Sequence, residues 1–194
     1  MRKVNIFLFF AFVLCLPGPS LAGDVICGIP APYFKVLSGD SEWFSLDNLK
    51  GKVGVLFYES KDAIERNRNL KIYLKTFYAA QPASVKGSIV RAGIINCKNV
   101  LLRGIWEKEL RDNSVKERIM IYGDWSGNMS SAYHAAEDES TVIIIDKKGV
   151  IRYQVSGLVK DKEIAEIIAL IGNLVKEGLI KGEKLPKGID KIHL

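Results

Sequence analysis

The chain has 194 residues, 48% hydrophobic and 26% charged, with a formal net charge of +6. That length holds one domain with a sizeable core and leaves little room for a second. The basic excess gathers at the two ends (Arg2 and Lys3; Lys181, Lys184, Lys187 and Lys191) and forms no stripe interleaved with aromatics, a pattern that points away from nucleic-acid binding.

The first 22 residues read as a signal peptide. Arg2 and Lys3 form a positive start, residues 4–16 an apolar run, and Ser20-Leu21-Ala22 puts small residues before a cleavage point at Ala22. The apolar run is too short to span a bilayer, which takes ~20 residues. The expected mature protein is therefore periplasmic or secreted, with no stable membrane insertion after cleavage. It carries 26 basic and 22 acidic residues, hence +4. The domain is expected over residues 23–176 and a basic tail over 177–194.

From the mature start, two prolines one residue apart (Pro30, Pro32) impose an extended path. A small hairpin follows, with strands at 33–37 and 42–46 around Ser38-Gly39-Asp40. Residues 53–58 form a continuous apolar strand, the pattern of a strand covered on both faces. A helix is expected over 61–78, with Ile64, Leu70, Leu74, Phe77 and Tyr78 on one face. Residues 88–96 read as a second strand, parallel to the first because a helix of that length is the usual crossover. A second helix is expected over 100–110, with Leu101, Leu102, Ile105, Trp106 and Leu110 inward. A short strand at 118–122, a short helix at 126–134 and a hairpin of 141–146 with 150–155 follow. A final helix starts near Asp161, read as its N-cap, and ends before Gly178.

In such sheets, ligands sit beyond the carboxyl ends of the strands. That places the candidate site, for an unknown protein or small-ligand partner, at the turn from Glu59 to Asn67. Glu59, Asp62, Glu65 and Arg66 crowd it; as acids in a first helical turn, they read as capping and dipole-complementing groups. The chain has no H-x-x-x-H, no Walker glycine loop and no G-x-S-x-G, so no metal or cofactor site is expected. Once Cys15 leaves with the signal, Cys27 and Cys97 remain. In an oxidising compartment they either pair as a disulfide or stay reduced, packed as small hydrophobes. Cys97, after the second strand, is also a weak candidate for a displaced functional thiol, with Cys27 as its resolving partner.

Particular residues carry a resemblance. Gly28-Ile29-Pro30-Ala31-Pro32-Tyr33-Phe34 resembles the G-x-x-A-P-x-F opening of the peroxiredoxin and TlpA-like thioredoxin families. Ser45-Leu46, Leu49-Lys50-Gly51-Lys52 and the stretch from Val142 to Ile151 are similar to the segment before their central strand and to their closing hairpin. Tyr122-Gly123-Asp124 before Gly127, and Glu139-Ser140, are similar to the YtfJ-like exported proteins. The resemblance implies a thioredoxin-like three-layer α/β/α fold with an N-terminal β-hairpin extension. It also implies redox cysteines in the first turn of the first helix. Here that turn reads Asp62-Ala63-Ile64-Glu65-Arg66-Asn67, with no C-x-x-C. Ser140 lies near the place where thioredoxins carry a proline opposite the thiols. Dithiol exchange needs a thiolate of depressed pKa at a helix N-terminus, and nothing in this turn supplies one. The expectation is an exported binding or accessory protein without catalysis; the alternative is a thiol-dependent antioxidant oxidoreductase working through Cys97 with Cys27.

Overall fold

The computed structural model describes residues 26–177. The signal peptide with its cleavage at Ala22, the helix stop at Gly178 and the tail from 178 onward lie outside the described residues.

The opening hairpin is β1 (Lys35–Ser38) and β2 (Trp43–Ser45). The central strand β3 (Val53–Glu59) is buried along its whole length. A 3-10 turn, Lys61–Ala63, leads to α1 (Arg68–Ala79). After the short α2 (Ala83–Lys86) come β4 (Ile89–Asn96), α3 (Arg103–Glu117), β5 (Met120–Asp124) and α4 (Asn128–Tyr133). The chain closes with β6 (Ser140–Ile145), β7 (Ile151–Ser156) and α5 (Asp161–Lys176).

The seven strands form one sheet in the order β2-β1-β5-β4-β3-β6-β7. β3 runs parallel to β4, and β4 to β5, as the crossover argument expects. β6 runs antiparallel to β3 and to β7. The residues just before β1 add a short edge beside β7, through Ile26 N–H to the Gln154 carbonyl and Gly28 N–H to that of Ile151.

Alternation along β3 splits the core. Val53, Val55 and Phe57 face a layer made by α1 and α5, with Leu70, Leu74, Ile167 and Ile171 packed on them. Leu56 and Tyr58 face the other way, onto Phe34, Phe44, Met129 and Tyr133. α3 covers β5 on the same side as α1, and its Leu110 packs with Ile95 and Cys97.

Three expectations change. Helix α1 begins at Arg68 rather than 61, because residues 60–67 are spent on 3-10 turns and Asn67 holds a non-helical backbone. Its first turn therefore contains no acidic residue, and Glu59, Asp62 and Glu65 do not cap it. Leu101 and Leu102, which precede α3, and Ile105 within it face solvent, and Leu110 is the buried apolar residue of the helix. The Leu102 backbone is left-handed, with φ of 58°, so the helix enters its layer at Arg103 and turns the expected stripe outward. Asp161 is the first helical residue of α5, and Lys160 stands before it as the cap.

Candidate functional site

The carboxyl end of β3 lies where the sequence placed the site, and a polar chain fills it. Glu59 is 3% exposed and stands in register opposite Ser140 on β6. The Ser140 hydroxyl donates to Glu59 Oε1 at 2.8 Å, and Lys71 Nζ donates to Oε2 at 2.7 Å. Lys71 also donates to the Ile64 carbonyl at 2.6 Å, so one ammonium fixes both the carboxylate and the turn above it.

Asn67 closes the chain. Its Nδ2 donates to Ser140 Oγ and to the Gly157 carbonyl, each at 2.9 Å, and its Oδ1 accepts the Val159 N–H at 2.9 Å. Three segments meet there: the start of α1, the start of β6 and the loop leading to α5. A full set of partners explains why Asn67 makes no side-chain cap for α1. Above it, Arg66 pairs with Glu139 at the surface. Where the resembling families carry thiols, this chain carries a closed hydrogen-bond network.

Burial raises the pKa of Glu59, and the Lys71 ammonium offsets that only in part. The folded protein therefore holds this proton more tightly than the unfolded chain. Above the unfolded value of 4.5, the unfolded chain binds fewer protons than the folded one, so this group's contribution to stability falls as pH rises through the window up to the folded pKa. Glu59→Gln should remove that slope. Urea melts between pH 4 and 7 check it; a variant that keeps the wild-type slope would contradict the assignment.

On the opposite face, Asp124 is 1% exposed and accepts from Tyr58 Oη at 3.1 Å, Ser126 Oγ at 3.2 Å and Ser130 N–H at 3.1 Å. Glu59 and Asp124 thus lie on opposite faces of the sheet. Among the described residues, no three His, Cys, Asp or Glu side chains are grouped to hold a metal ion.

The Cys27–Cys97 disulfide is not formed. Among the described residues no two cysteines come near disulfide distance. Cys27 lies in the segment beside β7, and Cys97 follows β4, at least three strand spacings across the sheet, or ~14 Å. Bonding takes a Cα separation of ~4.4–6.8 Å. Cys97 is 2% exposed, packed against Ile95 and Leu110, and burial with the nearby Asp124 carboxylate pushes its thiol up to about 12.

A groove of about 570 Å³ opens from the site on the α1 face. It runs between α1 and α3, with Val55, Phe57, Arg91, Gly93 and Ile121 as its floor. Leu74 of α1 and Trp106 and Leu110 of α3 form the walls, and Glu59, Ile64 and Lys71 close one end. Gly93 leaves the floor open: a β-carbon there would meet nothing nearer than Ile121, at 3.6 Å. Sequence reasoning found the turn but missed Lys71, Ser140 and the groove. The available signals were an arginine and a glycine inside the otherwise apolar strand Ile89–Asn96.

Solved structures with a similar architecture include proteins named for thiol-disulfide chemistry. A Bacteroides thetaiotaomicron protein, provisionally named a protein disulfide isomerase, is 18% identical, with a TM-score of 0.60 over 80% of this chain and 93% of its own. A Chlorobium tepidum protein, provisionally named thiol:disulfide interchange protein DsbE, is 16% identical, with a TM-score of 0.59 over 78% of this chain and 99% of its own. The thioredoxin domain of a Bacteroides vulgatus thiol-disulfide oxidoreductase is 17% identical, with a TM-score of 0.55 over 75% and 98%. At these identities the likeness establishes the thioredoxin-like fold. No curated protein matches the sequence. The profile of the YtfJ_HI0045 family, described as a bacterial protein of unknown function, matches residues 41–174, and the chain belongs to that family.

Proposed function

We propose that this chain is an exported binding protein without catalysis, which takes a small apolar or amphipathic ligand in the groove between α1 and α3. The groove carries the reading. Its ~570 Å³ falls within the ~300–1,000 Å³ of small-molecule sites, with apolar surface from Val55, Phe57, Ile95 and Ile121 in its floor and charged side chains around it. It begins at Glu59, the strand end where ligands of such sheets bind. Export rests on the signal-peptide pattern ending at Ala22. No helix among the described residues is long and apolar enough to cross a membrane.

The neutral fluorophore N-phenyl-1-naphthylamine tests the groove. Wild-type protein should bind it saturably, one to one. Gly93→Leu, which puts a side chain into the floor, should weaken binding at least ~10-fold, about 1.4 kcal/mol. Gly93→Ala should leave the melting temperature unchanged or raise stability by ~0.5 kcal/mol, since glycine inside a strand costs about that much. No saturable binding by the wild type would refute the proposal.

The oxidoreductase alternative requires a reactive Cys97. A pKa near 12 leaves on the order of a thousandfold less thiolate at neutral pH than an ordinary cysteine has. Iodoacetamide should therefore modify Cys97 only after unfolding, as read by mass spectrometry of peptides. Prompt labelling of Cys97 in the native protein would favour the alternative.

A further inference from the structure

Arg91 is the unusual member of the groove. It lies on β4 in register with Val55, so its side chain rises from the floor on the α1 face. Its guanidinium carbon sits 3.8 Å from the centre of the Tyr78 ring, and the residue is half-buried. Burial lowers its pKa. Among the described residues it makes no hydrogen bond and no ion pair, and two of the acids that line the groove are committed elsewhere. Glu59 is paired with Lys71, and Glu65 with Arg68. Glu117, on the α3 wall, stays beyond ion-pair distance of Arg91.

A guanidinium taken from water without an anion is unfavourable, and its planar fork of N–H donors matches a carboxylate bidentately. From Arg91, the floor runs along β4 past Gly93 to Ile95, four residues or ~13 Å. Phe57, Ile121 and Leu110 line that path, and Trp106 stands at its side. Among the described residues, Lys61, Lys75 and Lys116 also line the groove without an ion pair, but Arg91 is the cation that rises from its apolar floor, so the complement there is a negative charge on an elongated apolar body.

We infer that the groove binds an amphipathic monocarboxylate of the medium-chain fatty-acid class, its carboxylate on Arg91 and its chain along Gly93 toward Trp106. This rests on the groove being a binding site. A cationic amphiphile would place like charge on Arg91.

The test is displacement of N-phenyl-1-naphthylamine from the full chain at pH 8, below micellar concentrations, by sodium decanoate, 1-decanol and decyltrimethylammonium. Decanoate should displace the probe at ~10-fold or more lower concentration than decanol, and the ammonium should be weakest, a difference of about 1.4 kcal/mol per tenfold. Arg91→Gln should lose the preference for decanoate over decanol, each displacement being read against the variant's own affinity for the fluorophore. Arg91→Lys, a point charge without the fork, should keep part of it. Should Arg91→Gln not fold, the decanoate-to-decanol ratio in wild type and Arg91→Lys still decides. Equal displacement by decanoate and decanol in the wild type would overturn the ligand class while leaving the binding reading intact. Absence of fluorophore binding to the wild type would instead remove the binding reading itself. A preference for decanoate that survives in Arg91→Gln would also overturn the inference.

Discussion

Replacing Asn67 with alanine is expected to destabilise the chain by about 3 kcal/mol, at roughly 1 kcal/mol for each of three hydrogen bonds lost from buried partners. Asn67 is 2% exposed, and its amide serves Ser140, Gly157 and Val159 together. Without it, the buried Val159 N–H and the part-buried Gly157 carbonyl lose their side-chain partner. For a domain of this size, the melting temperature should fall by about 6–12 °C. Asn67→Asp separates the two ends of the amide. Its oxygens can still accept from Val159 N–H, but it cannot donate to Ser140 or Gly157. It also brings a second negative charge toward Glu59, so its deficit should shrink as pH falls and the carboxyls take up protons. Urea denaturation at pH 5 and pH 8 measures both. A loss below ~1 kcal/mol for the alanine variant would mean that the network is peripheral to the fold.

Gly39→Ala should be comparably costly, for a steric reason. A β-carbon on Gly39 would lie 2.2 Å from the Glu107 carbonyl oxygen, 2.7 Å from Arg111 Cγ and 3.0 Å from the Arg111 nitrogen. The first and last of these are backbone atoms of α3, so no rotamer change relieves the clash. The turn between β1 and β2 is the platform on which α3 rests, and Arg111 Nη1 fastens it by donating to the Gly39 carbonyl at 2.5 Å. Overpacking of this kind costs ~1–3 kcal/mol, and the upper end is expected because backbone must move. α3 carries one wall of the groove, through Trp106 and Leu110. Displacing it should weaken binding of N-phenyl-1-naphthylamine along with stability. Gly93→Ala is the control, because its β-carbon has room. A Gly39→Ala protein within 0.5 kcal/mol of wild type would contradict the close approach, since surface changes free of such constraints usually fall in that range.

The two substitutions bear on one design. The network at Asn67 anchors α1, and the contact at Gly39 anchors α3. Between these anchors the sheet is left uncovered over β4, where Arg91 and Gly93 lie. In a fold that otherwise buries its sheet, the gap is held open by the placement of two helices.

Local chemistry in the sequence was enough for the frame. The unbroken apolar run of β3 required cover on both faces, the helix between β3 and β4 required a parallel pair, and the Asp146-Lys147-Lys148-Gly149 turn required a hairpin. Each of these rests on periodicity or on residues adjacent in the chain, so each was legible without tertiary information. The absence of thiols from the turn before Asn67 was legible in the same way. What only the tertiary structure decided depends on partners far apart in sequence. Glu59 and Asp62 read alike as acids at a helix start, yet Glu59 turns into the α1 face toward Ser140 and Lys71, and α1 waits until Arg68 because Asn67 is held by Gly157 and Val159. Leu101, Leu102 and Ile105 obey a helical period, yet a left-handed Leu102 sets where α3 begins and leaves them in solvent. Cys27 and Cys97 were a formal pair until the strand order put them across the sheet. Pattern fixes which side of an element is apolar; where two elements stop short of each other is set by the packing of the whole chain, and the groove lies in that gap.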